Sequence, residues 1–323
     1  MTNNKKPRIL IVHSTGISKE MVETICNETP GADIVTVADT EKEIRESLDG
    51  VNALIGCPRP LFNAELFQRA KGTLRWVHTG GAGCEEFFIP ELVNSDIIFT
   101  NGRIIQGPEV ADHALALLLA LTRGLHYVLR GEVHDMPRPL ELRGKIAVVV
   151  GVGGVGMLVA ERLHAFGMRV LGIDQEYMPM VRAVDEWYLP ERLRQALPLA
   201  DVIILCVPVT DKTRKMFGEK EFSAMKSSAY FVNVCRGVVV DTDALINALK
   251  QGKIKAAGLD VTDPEPLPGD HPLQGMPDVI ITPHRAGLSD NNRDRSFELV
   301  RQNVKRFVEG KPLINVVNKQ LGY

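Results

Sequence analysis

The sequence predicts an α/β fold in which parallel sheets are doubly wound with helices. Short apolar, β-branched runs alternate with helix-like segments along the chain. One such run, Val148 to Val150, leads directly into a glycine-rich loop and then a helix. The length of 323 residues suggests about two domains.

The first hundred residues carry enough strand signals for one α/β unit. Helix-like segments separate candidate strands that begin near Ile9, Ile34, Ala53, Leu74 and Ile97. A long apolar helix is predicted over residues 108–129, because Pro and Glu suit a first helical turn. Its most apolar run, Ala114 to Leu121, is far shorter than the roughly 20 residues that cross a bilayer, so a buried helix is expected.

The glycine-rich segment predicts a dinucleotide site. Gly151 permits a tight turn, Gly153 lets the backbone approach a pyrophosphate, and Gly156 lets the next helix pack closely on the strand. The helix N-terminus offers N–H groups and a positive dipole end to the phosphates. A second strand, Arg169 to Ile173, ends in Asp174, whose carboxylate would bind an adenosine ribose and repel a 2′-phosphate. This arrangement points to NAD as the cofactor.

The second half continues the alternation. Further strands are predicted at Val202–Leu205, Ala229–Val232, Ala256–Leu259 and Val279–Ile281. A helix over residues 242–251 lies among them, which implies parallel strands. A final amphipathic helix is predicted over residues 291–309, and Gly310 and Pro312 end it.

Composition and charge argue against several classes of protein. The net charge of −2 gives no reason to expect nucleic acid or a membrane surface as a partner. The five cysteines are scattered without a C-x-x-C pair, and no cluster of possible ligands has the spacing of a metal site. Without a signal-peptide pattern, these features predict a cytoplasmic protein with reduced thiols and no metal.

Three polar residues stand near the ends of predicted strands. Arg236 follows Cys235, Glu265 lies between two prolines, and His284 follows Pro283. Ligands of open α/β sheets bind outside the carboxyl ends of the strands, so these side chains can share one site. Arg can bind a carboxylate through two hydrogen bonds, His can move a proton near neutral pH, and a carboxylate beside the His favours its charged form.

The glycine-rich loop, the three polar residues and several motifs around them occur in an order that resembles the D-isomer-specific 2-hydroxyacid dehydrogenases. This is the family of glycerate, phosphoglycerate and D-lactate dehydrogenases. The resemblance covers most of the chain and is strongest between residues 110 and 287. The segments that carry it are Val110–His113, the glycine loop, Cys206–Pro208 with Thr210 and Thr213, Asn233–Gly237, Gly258–Asp260 with Glu265 and Pro266, and Thr282–His284.

The resemblance implies two Rossmann-like domains with a cleft between them. Residues 102–290 would form the NAD-binding domain, and residues 1–101 together with 291–323 would form the substrate domain. The family is usually dimeric, so a homodimer is expected, with the helix from Pro108 near the interface.

The resemblance also implies hydride transfer between NAD(H) and a small 2-oxoacid or D-2-hydroxyacid. His284 would be the general acid/base, Glu265 would keep it protonated, and Arg236 would bind the substrate carboxylate. Backbone N–H groups would bind the same carboxylate at Gly81, Ala82 and Gly83. Family positions that contact the cofactor correspond to Gly151, Gly153, Gly154, Val155, Gly156, Asp174, Val207, Pro208, Thr213, Val234, Cys235 and Asp260.

Some features leave alternatives open. Arg285 stands where relatives have an aliphatic residue, and it would be either a solvated side chain or a contact to a second anion on the substrate. Arg59 would be either a surface charge or a residue that approaches the substrate pocket from the other domain. Formate dehydrogenases share the fold but pair the His with Gln, which Glu265 argues against. A regulatory protein that senses NAD(H) on the same fold would keep the same polar residues, so these residues do not discriminate it from an enzyme.

Overall fold

Residues 6–13, 17–70, 72–178 and 180–323 are described by a computed structural model, in which the chain divides into two units. Unit 1 comprises Met1–Ile105 and Ser289–Tyr323, and unit 2 comprises Gln106–Leu288. The domain boundaries expected from the sequence, after residues 101 and 290, differ from the observed ones, after residues 105 and 288.

Unit 1 contains a five-stranded parallel sheet. Its strands are β1 (Arg8–Val12), β2 (Asp33–Val37), β3 (Val51–Ile55), β4 (Trp76–His78) and β5 (Ile98–Thr100). The helices among them are α1 (Lys19–Glu28), α2 (Glu41–Ser47), α3 (Ala64–Ala70) and α4 (Pro90–Val93). The strand order is β2-β1-β3-β4-β5, with every pair parallel. The strands begin within two residues of the positions that the sequence predicts.

Unit 2 contains a seven-stranded parallel sheet. Its strands are β6 (Ile146–Val150), β7 (Arg169–Ile173), β8 (Glu186–Tyr188), β9 (Val202–Leu205), β10 (Tyr230–Asn233), β11 (Ala256–Leu259) and β12 (Val279–Ile281). Its helices are α5 (Gly107–Thr122), α6 (Leu125–Arg130), α7 (Gly154–Ala165), α8 (Leu193–Ala196), α9 (Glu219–Ala224) and α10 (Thr242–Lys250). The order β12-β11-β10-β9-β6-β7-β8 reverses direction between β6 and β9, which is the point where such sheets bind ligands.

The helix α11 (Asn292–Val308) packs on the sheet of unit 1. Successive residues of β1 enter core clusters on opposite faces, which is why the strand is apolar throughout. Val300 and Val304 of α11 join the cluster of Ile9 and Ile11, and the ring of Phe307 lies 5.4 Å from that of Trp76. Burial of this apolar face explains why the C-terminal segment belongs to unit 1.

Two elements of unit 2 differ from the prediction. The single helix expected over residues 108–129 is two helices, because Gly124 adopts a φ of 69° and its N–H binds the carbonyl of Leu121. Strand β8 was not predicted, since its residues are half-buried at the sheet edge and give no continuous apolar run. Among the described residues, no helix has both the length and the apolar character needed to span a membrane.

Candidate active site

The loop between β6 and α7, Gly151–Gly156, is called the nucleotide loop. Gly151 has a φ of 87°, and a Cβ there would lie 2.8 Å from the carbonyl of Cys206. A Cβ at Gly156 would lie 1.8 Å from the carbonyl oxygen of Gly151, so both positions require glycine. A Cβ at Gly153 would meet no described atom within 4 Å, which leaves space for a ligand at this backbone. The first N–H groups of α7, from Gly154, have no acceptor within the helix and suit a phosphate.

Asp174 ends β7 beside the nucleotide loop. Its Oδ2 accepts a hydrogen bond from the N–H of Val152 at 2.7 Å, and its Oδ1 accepts one from the N–H of Glu176 at 3.0 Å. The carboxylate therefore fixes the loop and places a negative charge beside it. The sequence pattern predicts that an adenosine ribose binds at this carboxylate.

The other predicted cofactor residues follow β9 and β10. Thr213 Oγ1 accepts from the N–H of Thr210 at 2.8 Å and donates to the carbonyl of Pro208 at 2.6 Å, which closes the turn after Val207. Val234 is buried, and so is Cys235. Burial raises the pKa of the Cys235 thiol to about 11, so the thiol remains protonated near neutral pH.

Arg236 is held in a loop that Asn233 shapes. The buried Asn233 accepts from the N–H of Cys235 through Oδ1 at 3.1 Å and donates through Nδ2 to the carbonyl of Arg236 at 3.0 Å. A Cβ at Gly237 would lie 1.9 Å from the carbonyl oxygen of Thr262. The loops after β10 and β11 are therefore in backbone contact, which brings Arg236 to the loop that carries Glu265.

Glu265 and His284 form a hydrogen-bonded pair. Glu265 Oε1 lies 2.6 Å from His284 Nδ1, and both side chains are accessible, at 40% and 45% exposed. Glu265 Oε2 accepts from the N–H of Thr262 at 3.3 Å. The N–H of His284 donates to the carbonyls of Asp260 and Thr282, both at 2.9 Å. No described group hydrogen-bonds His284 Nε2, so this nitrogen is available for proton transfer.

The carboxylate of Asp260 accepts hydrogen bonds that fix the loop of His284. Oδ1 accepts from Thr282 Oγ1 at 2.6 Å and from the N–H of Arg285 at 2.9 Å, while Oδ2 accepts from the N–H of Ala286 at 2.9 Å. His113 Nε2 lies 3.3 Å from the same Oδ1. Burial raises the pKa of Asp260, but the hydrogen bonds from His113, Thr282 and the two backbone groups outweigh burial and leave the pKa lowered. A fixed carboxylate thus positions the residues around His284.

In unit 1, the segment Gly80–Gly83 after β4 is called the substrate loop. Its carbonyls point to fixed donors: Gly81 O accepts from the N–H of Gly102 at 2.9 Å, and Ala82 O from Asn101 Nδ2 at 2.7 Å. The N–H groups of Gly81, Ala82 and Gly83 donate to no acceptor in the described part of the chain. Because the C=O and N–H of one peptide point in opposite directions, the N–H groups of Ala82 and Gly83 face away from these fixed donors and are free to bind an anion.

Comparison with known proteins agrees with this geometry. The model of the family "D-isomer specific 2-hydroxyacid dehydrogenase, NAD binding domain" matches residues 113–286. A glyoxylate reductase of Korarchaeum cryptofilum is 34% identical over 292 residues, which cover 87% of this chain and 87% of that protein. The chain belongs to the D-isomer-specific 2-hydroxyacid dehydrogenase family.

Two further proteins are similar to most of the chain. A glyoxylate/hydroxypyruvate reductase B of Escherichia fergusonii is 32% identical and covers 87% of this chain and 89% of its own length. The solved structure of a D-isomer specific 2-hydroxyacid dehydrogenase from Xanthobacter autotrophicus Py2, in complex with NADPH and MES, has a TM-score of 0.83 at 25% identity. It covers 98% of this chain and 99% of its own.

As in this family, unit 2 is an NAD-binding domain, and its residues fit that cofactor. The cradle at Gly151 and Gly156, the open backbone at Gly153 and the carboxylate of Asp174 supply a phosphate site and a ribose acceptor. Among the described residues, no group of three or more His, Cys, Asp and Glu side chains is arranged to hold a metal ion.

The structure places the predicted residues Arg236, Glu265 and His284 on successive loops at the carboxyl edge of one sheet. Gly81, Ala82 and Gly83 belong to unit 1. Sequence reasoning did not identify the hydrogen-bond partners of the supporting residues, which are Asn101, His113, Asn233 and Thr282, although the last three stand in segments that carry the resemblance. Their signal was polarity at the end or edge of an apolar segment, which alone does not reveal a partner distant in sequence.

Proposed function

We propose that this family member is an NAD-dependent reductase of small 2-oxoacids that yields D-2-hydroxyacids. The observation that carries the proposal is the 2.6 Å pair of Glu265 and His284, beside a loop that presents Arg236. Relatives named glyoxylate reductase and glyoxylate/hydroxypyruvate reductase make glyoxylate and hydroxypyruvate the first substrates to test.

The proposed roles follow from the chemistry of each side chain. NADH, when bound, supplies a hydride to C2 of the 2-oxoacid. His284 donates the proton on Nε2 to the carbonyl oxygen, while Glu265 holds Nδ1 and stabilises the imidazolium. Arg236 binds the carboxylate through its planar guanidinium and polarises the carbonyl. The free N–H groups of the substrate loop are a further set of donors that suits a carboxylate.

Asp260 acts through His284 in this proposal. Its carboxylate is fully used by Thr282, His113 and the backbone after His284. The contact of Asp260 with the cofactor that the sequence suggests remains a prediction, and positioning of the His284 loop is the role that its hydrogen bonds support.

We also propose a homodimer in the cytoplasm. The described cysteines are free thiols, which fits a reducing compartment. On unit 2, four exposed apolar side chains lie on α6 and in the turn that follows it; they are called here the α6 surface and are Leu125, Val128, Leu129 and Val133. Exposed apolar patches of this kind mark association sites, and the family is usually dimeric.

The proposal is tested by following NADH absorbance with glyoxylate or hydroxypyruvate, and by comparing Arg236→Lys with Arg214→Lys. Lys at position 236 keeps the charge but loses the bidentate geometry, so kcat/KM should fall by about a hundredfold or more while NADH binding changes little. Arg214 is exposed, so its variant should keep wild-type activity. Hydroxypyruvate should give the D product on chiral chromatography.

Three results would contradict the proposal. NADH binding without turnover of any 2-oxoacid would favour a sensor of NAD(H). Near-wild-type turnover in Arg236→Lys would remove Arg236 from the site, and an L product would refute the stereochemistry.

A further inference from the structure

Arg59 contacts the substrate loop from the turn that follows β3. Its Nη2 donates to the carbonyl of Gly83 at 3.1 Å, and a Cβ at Gly81 would lie 3.3 Å from the same nitrogen. The guanidinium therefore lies across the loop. Its Nη1 lies 3.8 Å from Glu86 Oε1, so the cation is held between the loop backbone and a carboxylate.

The backbone of Arg59 is rigid and is tied to the end of the substrate loop. Pro58 and Pro60 flank it, and the N–H of Phe62 binds the carbonyl of Arg59 at 3.1 Å. The buried ring of Phe62 packs 5.1 Å from that of Phe87, which lies in the turn directly after the loop. Arg59 thus approaches the loop from a fixed support.

Three carbonyls of the substrate loop each accept a hydrogen bond, and Arg59 donates the third of these bonds. Gly81 O is bound by the N–H of Gly102, Ala82 O by Asn101, and Gly83 O by Arg59. Holding Gly81 O and Ala82 O directs the N–H groups of Ala82 and Gly83, which share peptides with these carbonyls, to the opposite side, where an anion would bind. Arg59 fixes the end of the same loop at Gly83 O. Of these three donors, Arg59 alone carries a charge, and its side chain remains 36% exposed.

We propose that Arg59 is a positioning residue for the substrate, which orients the N–H groups of the substrate loop toward the carboxylate of a 2-oxoacid. This inference depends on the proposed function. Arg59 acts through the loop, because both ends of its guanidinium are engaged by Gly83 and Glu86. Its loss should weaken binding of the carboxylate more than it slows the bound reaction.

The test compares Arg59→Met with Arg69→Met, since Arg69 is an exposed arginine on α3 of the same unit. Arg59→Met should raise KM for glyoxylate by about tenfold and leave kcat within about threefold. The Kd of NADH should not change. Hydrogen exchange at the N–H of Gly102, which binds Gly81 O, should become faster, because the loop loosens. Arg59→Lys, which keeps one donor, should recover part of the KM loss.

Two results would overturn the role of Arg59 while leaving the proposed function intact. One is a KM in Arg59→Met within twofold of wild type. The other is a raised KM with unchanged exchange at Gly102, which would show a direct effect of charge. If Arg59→Met does not fold, Arg59→Gln replaces it with the same expectations, since its shorter side chain does not span the distance to Gly83. A wild-type protein that reduces no 2-oxoacid refutes the proposed function and this inference together.

Discussion

At the scale of single residues, the backbone of His284 is strained. Its φ of 50° lies in the left-handed region, which costs an L-residue about 1–2 kcal/mol. The two carbonyls that bind its N–H, and the anchoring of the next two residues by Asp260, hold this conformation. In this conformation the imidazole hydrogen-bonds Glu265, and backbone strain of this kind is found where a side chain must be placed for chemistry.

We expect His284→Gly to be more stable than His284→Ala by about 1 kcal/mol, because glycine tolerates a positive φ. Both variants should lose activity. Urea unfolding with equal m-values measures the difference. Asp270, whose φ is not positive, is the control position, and there Asp270→Gly should be less stable than Asp270→Ala. Equal stability of the two variants at position 284 would show that the strain is absent.

Asp174 should make NADH the better cofactor. A 2′-phosphate beside its carboxylate would be repelled, so kcat/KM with NADH should exceed that with NADPH by about tenfold or more. Asp174→Ser should narrow this ratio, whereas Asp211→Ser, a change at an exposed acid of the same unit, should not. Steady-state kinetics with NADH and with NADPH measure this ratio of kcat/KM values. A higher kcat/KM with NADPH would contradict the expectation.

At the scale of elements, the candidate site is assembled by loops that leave three adjacent parallel strands, β10, β11 and β12. Parallel strands place these loops at one edge, so residues 236, 265 and 284 converge although they are far apart in sequence. Two of the loops are in close contact at Gly237, where only a glycine leaves space for the carbonyl of Thr262.

Gly237→Ala should therefore separate the loops that carry Arg236 and Glu265. Overpacking of this kind costs about 1–3 kcal/mol of unfolding free energy, and kcat/KM should fall by about a hundredfold or more because the reacting groups are displaced. Gly275→Ala is the matched control, since a Cβ there meets no described atom within 4 Å. Wild-type activity in Gly237→Ala would show that the loop contact does not position the site.

At the scale of the whole molecule, the α6 surface brings four exposed apolar side chains close together in the sequence of unit 2. Leu129 is 87% exposed there. Leu129→Glu should convert the proposed dimer to a monomer in light scattering coupled to size exclusion, because a buried unpaired charge is unfavourable at an interface. Leu321→Glu, at an exposed leucine of unit 1, should remain dimeric. A wild-type monomer would refute the dimer outright.

Acid should destabilise the protein through His78. This residue of β4 is buried against Thr100, and burial lowers its pKa from 6.5 to about 4. The fold favours the neutral ring, so the full stability is present above pH 6.5 and is lost as pH falls toward 4. The loss is on the order of 3 kcal/mol.

Urea unfolding between these pH values measures this contribution. His78→Asn should remove that part of the acid dependence, because Asn does not titrate, whereas the change His134→Asn at an exposed position should leave it in place. If the unfolding free energy of His78→Asn depends on pH as that of the wild type does, His78 is not the source of the acid dependence.

The sequence by itself determined the alternation of strands and helices, the nucleotide loop and the family. Each of these is encoded locally: apolar runs such as Val148–Val150, glycines at fixed spacing, and an acid at the end of the next strand. The residues proposed for catalysis were also found from sequence, because they follow strands directly and match the pattern of the family.

Only the tertiary structure decided which side chains support them. Asp260 is held by His113 and Thr282, and Arg59 by Gly83, through contacts between residues that are 22 to 147 positions apart. The tertiary structure also decided that the long apolar helix breaks at Gly124 and that a half-buried edge strand forms at Glu186–Tyr188. Local patterns do not specify these features, because their energy comes from packing and hydrogen bonds with distant parts of the chain.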